Sequence, residues 1–286
     1  MQPPFPSPVA TWHNDTYDAI NPRNPELSQE GKTVVITGAG SGIGRATAAA
    51  FAAAGAERLV LIGRTDATLQ ETANLLPSGS KVDIYPASVT DEMAVREIAG
   101  KVGGWDVLIL NAAHPLTPSA IVGAELGDWW AQYEVSVKSV VVAAQAFVPS
   151  AKPGAAVFGI TAGALVMPPS FTPGYSAYLT AKAAQVKILE FLGSEHPNLF
   201  VVSVHPGMID TGIFRSSGAD PETLPMDTVE LPAHFLVWLT QSQTKFLNGK
   251  MVWANWDVTE LVAKSSEIQN SPMMTMGYSG WPFSHA

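Results

Sequence analysis

Short apolar runs alternate along this chain with longer stretches that have helical character. TVVIT (33–37), RLVLI (58–62), DVLIL (106–110), AAVFGI (155–160) and LFVVSV (199–204) are too short for helices. They lack the strict alternation of a strand with one wet face, so they predict strands buried on both faces. KVDIYPA (81–87) adds a further strand, and another is expected near 250–253. Between them, Ile43–Ala54 is Ala-rich and stops at Gly55, and Ala67–Leu76 is ended by Pro77. Helices are also predicted over Asp91–Lys101, about 126–148 closed by Pro149, and about 176–195. Strands that alternate with helices imply right-handed crossovers and an α/β, doubly wound parallel sheet.

The two ends differ from this pattern. Residues 1–31 form a Pro-rich arm, because prolines at 3, 4, 6, 8, 22 and 25 prevent regular helix or ladder pairing. Trp12, Tyr17 and Ile20 make the arm sticky enough to lie on the domain. No internal repeat and no Gly/Ser linker interrupts 32–257, which reads as one domain, followed by a C-terminal extension over 258–286. In that extension Met273, Met274, Met276, Tyr278, Trp281 and Phe283 form an apolar tail. Core or interface packing is one reading of the tail and a ligand box the other.

Composition narrows the classes. Hydrophobic residues make up 47% and charged residues 14% of 286 positions, which excludes disorder as the main state. A net charge of −9 gives no broad cationic field, so neither nucleic acid nor an anionic membrane surface is an expected partner. With no cysteine, disulfides, a thiolate nucleophile and Cys-ligated zinc are excluded. That suits a reducing compartment, and a cytoplasmic location is the expectation. The first residues have neither a basic nor an apolar segment of a secretory signal, and Ala46–Ala56 is too short for a membrane span.

The first candidate for chemistry follows the first strand: Thr37-Gly38-Ala39-Gly40-Ser41-Gly42-Ile43-Gly44, then a helix. Glycines let backbone approach a ligand that a Cβ would block, and the helix start offers N–H groups and a positive dipole end to a pyrophosphate. The spacing differs from the usual G-x-G-x-x-G fingerprint. A tight ligand-free turn is the other reading, but the place of the loop at the first strand–helix junction points to a nucleotide. Arg64, just past the second strand, stands where an acid would favour a free ribose 2′-OH, so it points to a 2′-phosphate and NADP. Otherwise it is a solvated surface charge. Asp66 is expected to cap the next helix.

The second candidate is Tyr178 with Lys182, one turn apart on one helix face. A phenol has an ordinary pKa near 10, and a nearby cation favours the phenolate and brings it toward a useful range. The pair is also a common helix-surface contact. His13, His196, His205, His234 and His285 have no metal-ligand spacing, and no G-x-S-x-G elbow supports a hydrolase. No metal site is expected.

TGAGSGIG, LNAA (110–113), YLTAK and His205-Pro206-Gly207-Met208-Ile209-Asp210-Thr211 occur in this order, and over about 32–256 the chain resembles the short-chain dehydrogenase/reductase family. The TWHNDTY arm and the endings Trp253-Ala254-Asn255-Trp256-Asp257 and Gly280-Trp281-Pro282-Phe283 resemble a branch common among fungal members. The resemblance implies a single Rossmann-type domain of about seven parallel strands with helices on both faces, and a nicotinamide cofactor. It implies that Gly38, Ser41, Gly42, Ile43, Gly44, Arg64, Ser88 and Asn111 contact that cofactor. Tyr178 would exchange a proton with the substrate oxygen, while Lys182 would bind the nicotinamide ribose. Pro206, Gly207, Ile209 and Thr211 would meet the carboxamide end, and 212–230 would form a substrate lobe suited to a mobile lid. It further implies a homodimer or homotetramer. The activity implied is NADP(H)-dependent oxidoreduction of a carbonyl or alcohol on an apolar small molecule, a secondary-metabolite intermediate of polyketide type.

The chain departs from the family at the catalytic positions. The usual Ser after the fifth strand falls on Ala162, and losing such a donor costs about 3 kcal/mol, or ~10²–10³ in rate. Thr161 replaces it if the strand end shifts by one residue. The Asn of the fourth helix becomes Ser136, the adenine-contacting Asp becomes Ser88, and His114 stands beside the expected nicotinamide pocket, either as a surface loop residue or as a proton-transfer group. These changes keep two alternatives open: a non-redox cyclase, isomerase or dehydratase on the same scaffold, and a nucleotide-binding sensor without turnover.

Overall fold

Val34, Val35 and Ile36 are wholly buried because β1 (Thr33–Thr37) lies at the centre of a sheet covered on both faces. The structure, a computed structural model, describes residues 7–277. The expectations for Pro3, Pro4, Pro6, Tyr278, Trp281, Phe283, His285 and the Gly280–Phe283 ending lie outside the described residues. The other strands are β2 (Arg58–Gly63), β3 (Lys81–Pro86), β4 (Trp105–Leu110), β5 (Ala151–Ile160), β6 (Phe200–His205) and β7 (Lys250–Trp253). All pair in parallel, in the order β3-β2-β1-β4-β5-β6-β7. The order reverses between β1 and β4, and a crevice for ligands forms there at the carboxyl ends of the strands.

Side chains alternate between two cores, which is why the apolar runs show no polar alternation. Val34 and Ile36 join Phe51, Phe158 and Phe235 on one face, which is covered by α1 (Gly42–Ala53) and α8 (Glu230–Leu239). Val35 joins Val60, Leu108 and Phe147 on the other. There lie α3 (Glu92–Val102), α4 (Leu126–Tyr133), α5 (Ser139–Phe147) and α6 (Ser176–Glu195). The remaining helices are α2 (Asp66–Asn74), α7 (Gly212–Ser216), α9 (Val258–Ala263) and α10 (Ser265–Gln269).

Three local expectations change. The helix expected over 126–148 is α4 and α5 joined by a π turn, Glu134–Lys138, in which Ser139 Oγ donates to Val135 O at 2.5 Å. A π turn adds one residue per turn and turns a side chain inward; here that is Ser136, 1% exposed. Asp66 does not cap α2: Thr65 is the N-cap, with extended backbone, and Asp66 lies in the first turn without a capping bond. β5 begins at Ala151 instead of 155, because it passes Pro153 and Gly154 (φ +77°) through a register shift opposite Trp105–Val107.

The arm lies on the domain. Trp12 bridges Trp256 in antiparallel fashion, and His13 N donates to Asn255 O at 2.8 Å while Asn255 Nδ2 donates to His13 O at 2.9 Å. Glu260 accepts from Ala10 N and Thr11 Oγ1, each at 2.6 Å, and Tyr17 stacks on His13 with centroids 3.6 Å apart. Truncating the buried Trp12, whose ring meets Trp253 edge-on, is expected to lower stability by about 3 kcal/mol, read as the shift in denaturant midpoint of Trp12→Ala. At the other end Met274 O accepts from Met251 N at 2.7 Å, so the tail covers part of the open edge of β7. Met274, Thr275 and Met276 also line an apolar pocket with Trp12, Trp253 and Trp256, so packing and pocket lining are both present in the tail.

Candidate active site

The glycine loop leaves β1 at the crevice. Gly38 (φ +66°) and Gly42 (φ +49°) adopt left-handed conformations open to glycine. A Cβ on Gly44 would lie 2.2 Å from Gly38 O and 2.7 Å from Asn111 Nδ2, so glycine here is demanded by the loop's own packing. The first bond of α1 runs from Arg45 N to Ser41 O at 3.1 Å, leaving the N–H groups of Gly42, Ile43 and Gly44 without helical partners. Ser41, the N-cap, is exposed and makes no side-chain capping bond. A residue not singled out in the sequence secures the loop: Arg45 donates to Gly40 O at 2.6 Å, Thr72 Oγ1 at 3.1 Å and Glu71 at 2.8 Å. Nothing in the spacing distinguishes it from other helix arginines.

Asn111 sits at the end of β4 as expected, but its amide nitrogen donates to Thr37 O at 3.0 Å and Gly38 O at 3.2 Å, so it shapes the glycine loop. Thr37 Oγ1 completes this stitch by accepting from Asn111 N at 3.0 Å and Ala112 N at 3.1 Å. Arg64 is exposed just past β2 and has no partner among the described residues. Ser88 shares a 2.8 Å hydrogen bond with Thr90 Oγ1.

Tyr178 and Lys182 lie one turn apart on α6, with the lysine nitrogen 6.0 Å from the ring centroid. The Tyr178 hydroxyl has no hydrogen-bond partner among the described residues. Lys182 donates to Ile160 O at 2.7 Å and to Gln185 Oε1 at 3.0 Å. The lowering of the phenol expected from the cation is not seen, because burial dominates. Burial pushes Tyr178 up to about 12, with Tyr175 adding to the rise, and burial pushes Lys182 down to about 7. Desolvation of both groups is the cause, and the two bonds of the ammonium go to a carbonyl and an amide.

The substitute hydroxyls stand in elements packed on α6. Thr161 follows β5, and Ser136 lies in the π turn; both hydroxyls are buried without a partner. Ala162 is buried and begins the 3-10 turn Gly163–Val166. A Cβ on Gly163 would lie 2.7 Å from the His205 ring and 2.9 Å from Trp253, so that turn is wedged on the ends of β6 and β7. Burial pushes His205 down to about 3, a neutral imidazole edge-on to Trp253 at 4.6 Å. His114 is partly buried in the loop after β4, with Nδ1 2.9 Å from Pro115 O.

The loop after β6 closes over the crevice. Gly207 (φ +93°) follows the buried Pro206, and a Cβ on it would fall 2.4 Å from Asp227 Oδ2. Asp227, not singled out in the sequence, accepts from Met208 N at 2.6 Å and Asn14 Nδ2 at 2.5 Å; its neighbour across the bridge is Ile209. Burial raises its carboxyl above the usual range despite these bonds. Thr211 caps α7 through Phe214 N at 3.2 Å, and its Cγ2 lies 3.1 Å from where a Cβ of Gly42 would stand. The loop expected to meet the carboxamide thus touches the glycine loop, and Ser216 Oγ ties α7 to Leu116 N at 2.8 Å.

These groups fit a nicotinamide dinucleotide: open helix-start N–H groups, an unpaired guanidinium beyond β2 and orphaned hydroxyls by an unpartnered phenol. A family model described as short chain dehydrogenase matches residues 32–222. A short chain dehydrogenase/reductase from Claviceps purpurea is 37% identical over 279 residues, covering 92% of this chain and 91% of that one. A short chain dehydrogenase from Monascus purpureus is 34% identical, covering 92% and 94%. Among solved structures, a Burkholderia cenocepacia short chain dehydrogenase in complex with NADP is similar with TM-score 0.71 and 25% identity, over 79% of this chain and 96% of that one. Family model, relatives and the seven-stranded parallel sheet agree: the chain belongs to the short-chain dehydrogenase/reductase family, whose oxidoreductases act on small organic substrates with a nicotinamide cofactor.

Proposed function

We propose that this protein is an NADP(H)-dependent oxidoreductase that interconverts a carbonyl and an alcohol on an apolar small molecule. The observation that carries this reading is the unpartnered Tyr178 hydroxyl, one turn from the buried Lys182 and at the carboxyl end of the sheet. A bound nicotinamide supplies or accepts the hydride. Tyr178 Oη gives its proton to the carbonyl oxygen in reduction and takes it back in oxidation. Lys182 stabilises the phenolate left behind, which a phenol at about 12 needs. The hydroxyl of Thr161 donates to the substrate oxygen in place of the group that Ala162 lacks. Ser136 offers a hydroxyl for a relay water on the far side of the lysine.

The nucleotide is held by the N–H groups of Gly42, Ile43 and Gly44, with Gly38 setting the turn and Ser41 at the rim. Asn111 holds this loop, Ser88 borders the adenine, and Pro206, Gly207, Ile209 and Thr211 border the carboxamide. Arg64 supports NADP over NAD, because it is uncommitted and exposed. Arg64→Asp is expected to weaken NADPH binding by about 10- to 100-fold, the worth of a charge-assisted bond, while NADH binding stays within a few-fold. Fluorescence titration with both nucleotides checks it; an unchanged NADPH-to-NADH ratio removes the assignment.

Exposed Val166, Phe171 and Leu224 in the loops after β5 and β6 support an apolar substrate, and the fungal relatives support a secondary-metabolite intermediate of polyketide type. Among the described residues no helix is long and apolar enough to cross a membrane. Exposed Trp130, Val141 and Phe191 on α4, α5 and α6 support a homodimer or homotetramer, and a cytoplasmic location suits the chain. The test is incubation with NADPH and a panel of aryl ketones and β-keto esters. The expected product is two hydrogens heavier, with NADPH consumed. Ala162 favours one rival, a cyclase, isomerase or dehydratase. An isomeric or dehydrated product without NADPH consumption would favour it.

A further inference from the structure

The lysine of the site is held by a residue outside the sequence motifs. Lys182 is 2% exposed, and its two hydrogen bonds go to Ile160 O at 2.7 Å and Gln185 Oε1 at 3.0 Å. An ammonium has three N–H donors, so these bonds leave one for the Tyr178 side. Gln185, 1% exposed and three residues on along α6, lies over Gly159 of β5. A Cβ on Gly159 would clash with Leu189 Cδ1 at 2.3 Å and meet Gln185 Nε2 only at an ordinary contact of 3.6 Å, so the amide packs on the strand without depending on the glycine.

The surroundings of Lys182 hold few charged groups. Along α6 the titratable neighbours of Lys182 within two turns are Tyr178 and Lys187, with Tyr175 at the helix N-cap; Lys187 bonds to Glu190 and Met276 O at the surface. Of the elements packed on α6, α4 carries Asp128 and Tyr133, β5 carries Lys152, and β6 carries the neutral His205. The π turn carries Glu134 and Lys138, which pair with each other at 2.9 Å, while α5 and the turn Gly163–Val166 carry no charged side chain. Among the described residues no carboxylate pairs with Lys182. Its acceptors are neutral, and burial alone lowers its proton affinity.

We propose that Gln185 is a positioning residue of the active site: its amide oxygen, with the Ile160 carbonyl, fixes the Lys182 amine in one place and, being uncharged, leaves that amine able to lose its proton. This rests on the proposed role of Lys182 beside Tyr178. A carboxylate at 185 would hold the same geometry but lock the lysine as a permanent ion pair. A hydrocarbon at 185 would leave the charge state free but release the amine.

The test compares Gln185→Glu and Gln185→Leu in the full chain. The readouts are the titration of Lys182 by NMR of protein labelled at lysine Cε, assigned through Lys182→Arg, and the pH profile of turnover with NADPH and the ketone panel. Gln185→Glu is expected to raise the Lys182 titration by about 1 to 3 pH units and to move the activity profile with it. Gln185→Leu is expected to lower kcat by about 10- to 100-fold with a much smaller change in KM. If Gln185→Leu does not fold, Gln185→Asn, whose oxygen is drawn back by one methylene, carries the same expectation. A Lys182 titration unchanged in the Glu variant, or a wild-type kcat in the Leu or Asn variant, overturns the proposal. Absence of NADPH consumption by the wild type overturns the oxidoreductase reading instead, and the NMR titration, which needs no turnover, still decides the role of Gln185.

Discussion

Tyr178→Phe is expected to lower NADPH-linked kcat by about 10²–10⁴-fold, the usual contribution of a positioned proton donor, and to leave the fold intact. The separation of the two effects follows from the geometry. The phenol oxygen has no hydrogen-bond partner among the described residues, so removing it orphans nothing, and the ring itself remains. Taking away an unpaired hydroxyl on a half-buried ring should leave thermal stability nearly unchanged. Steady-state kinetics and a melting curve on the same preparation check both halves. Full activity in the variant would remove Tyr178 from proton transfer, and a large loss of stability would mean that the hydroxyl has a structural partner.

The second large effect is expected at Gly44. Its substitution by Ala puts a methyl carbon 2.2 Å from Gly38 O and 2.7 Å from Asn111 Nδ2. Neither atom is the end of a flexible chain: one is backbone, and the other is pinned to Thr37 O and Gly38 O. The loop must therefore open, which costs about 1–3 kcal/mol of stability. The N–H groups that face the pyrophosphate then splay apart, and NADPH affinity should fall by at least about 100-fold, since several charge-assisted bonds act together there. Gly55→Ala is the contrasting control. Gly55 has a positive φ, +84°, which Gly44 does not, and nothing stands within 4 Å of its Cβ position. That variant should lose only local backbone stability and keep its nucleotide affinity. Calorimetric titration with NADPH and chemical denaturation of both variants measure the contrast.

The sheet was legible because its strands obey one rule throughout: a run buried on both faces, such as TVVIT or DVLIL, has no polar position to spare. The glycine loop and the Tyr178–Lys182 pair were legible because their chemistry acts at short range in sequence. What was hidden depends on long-range contact. The π turn looks like ordinary helix in sequence, since Glu134–Lys138 has no Gly or Pro to mark where the extra residue turns Ser136 inward. Asp227 meets Asn14 across some two hundred residues, and no periodicity announces such a contact. The acceptors of the Lys182 amine were not legible, because i,i+4 spacing brings two side chains to one face but does not say which acceptors the longer one prefers. Gln185 was passed over as an unremarkable buried helix position, and only its bond from the lysine amine shows why an amide fits there.

The most direct measurement is a crystal structure of the full chain with NADP⁺ bound. The expected result has the pyrophosphate on the N–H groups of Gly42–Gly44, the 2′-phosphate on Arg64, and the Tyr178 hydroxyl open to the nicotinamide. Lys182 Nζ should then stand about 2.6–3.2 Å from a nicotinamide-ribose hydroxyl. A nucleotide seated elsewhere on the sheet, or a phenol facing away from the ring, would contradict the account.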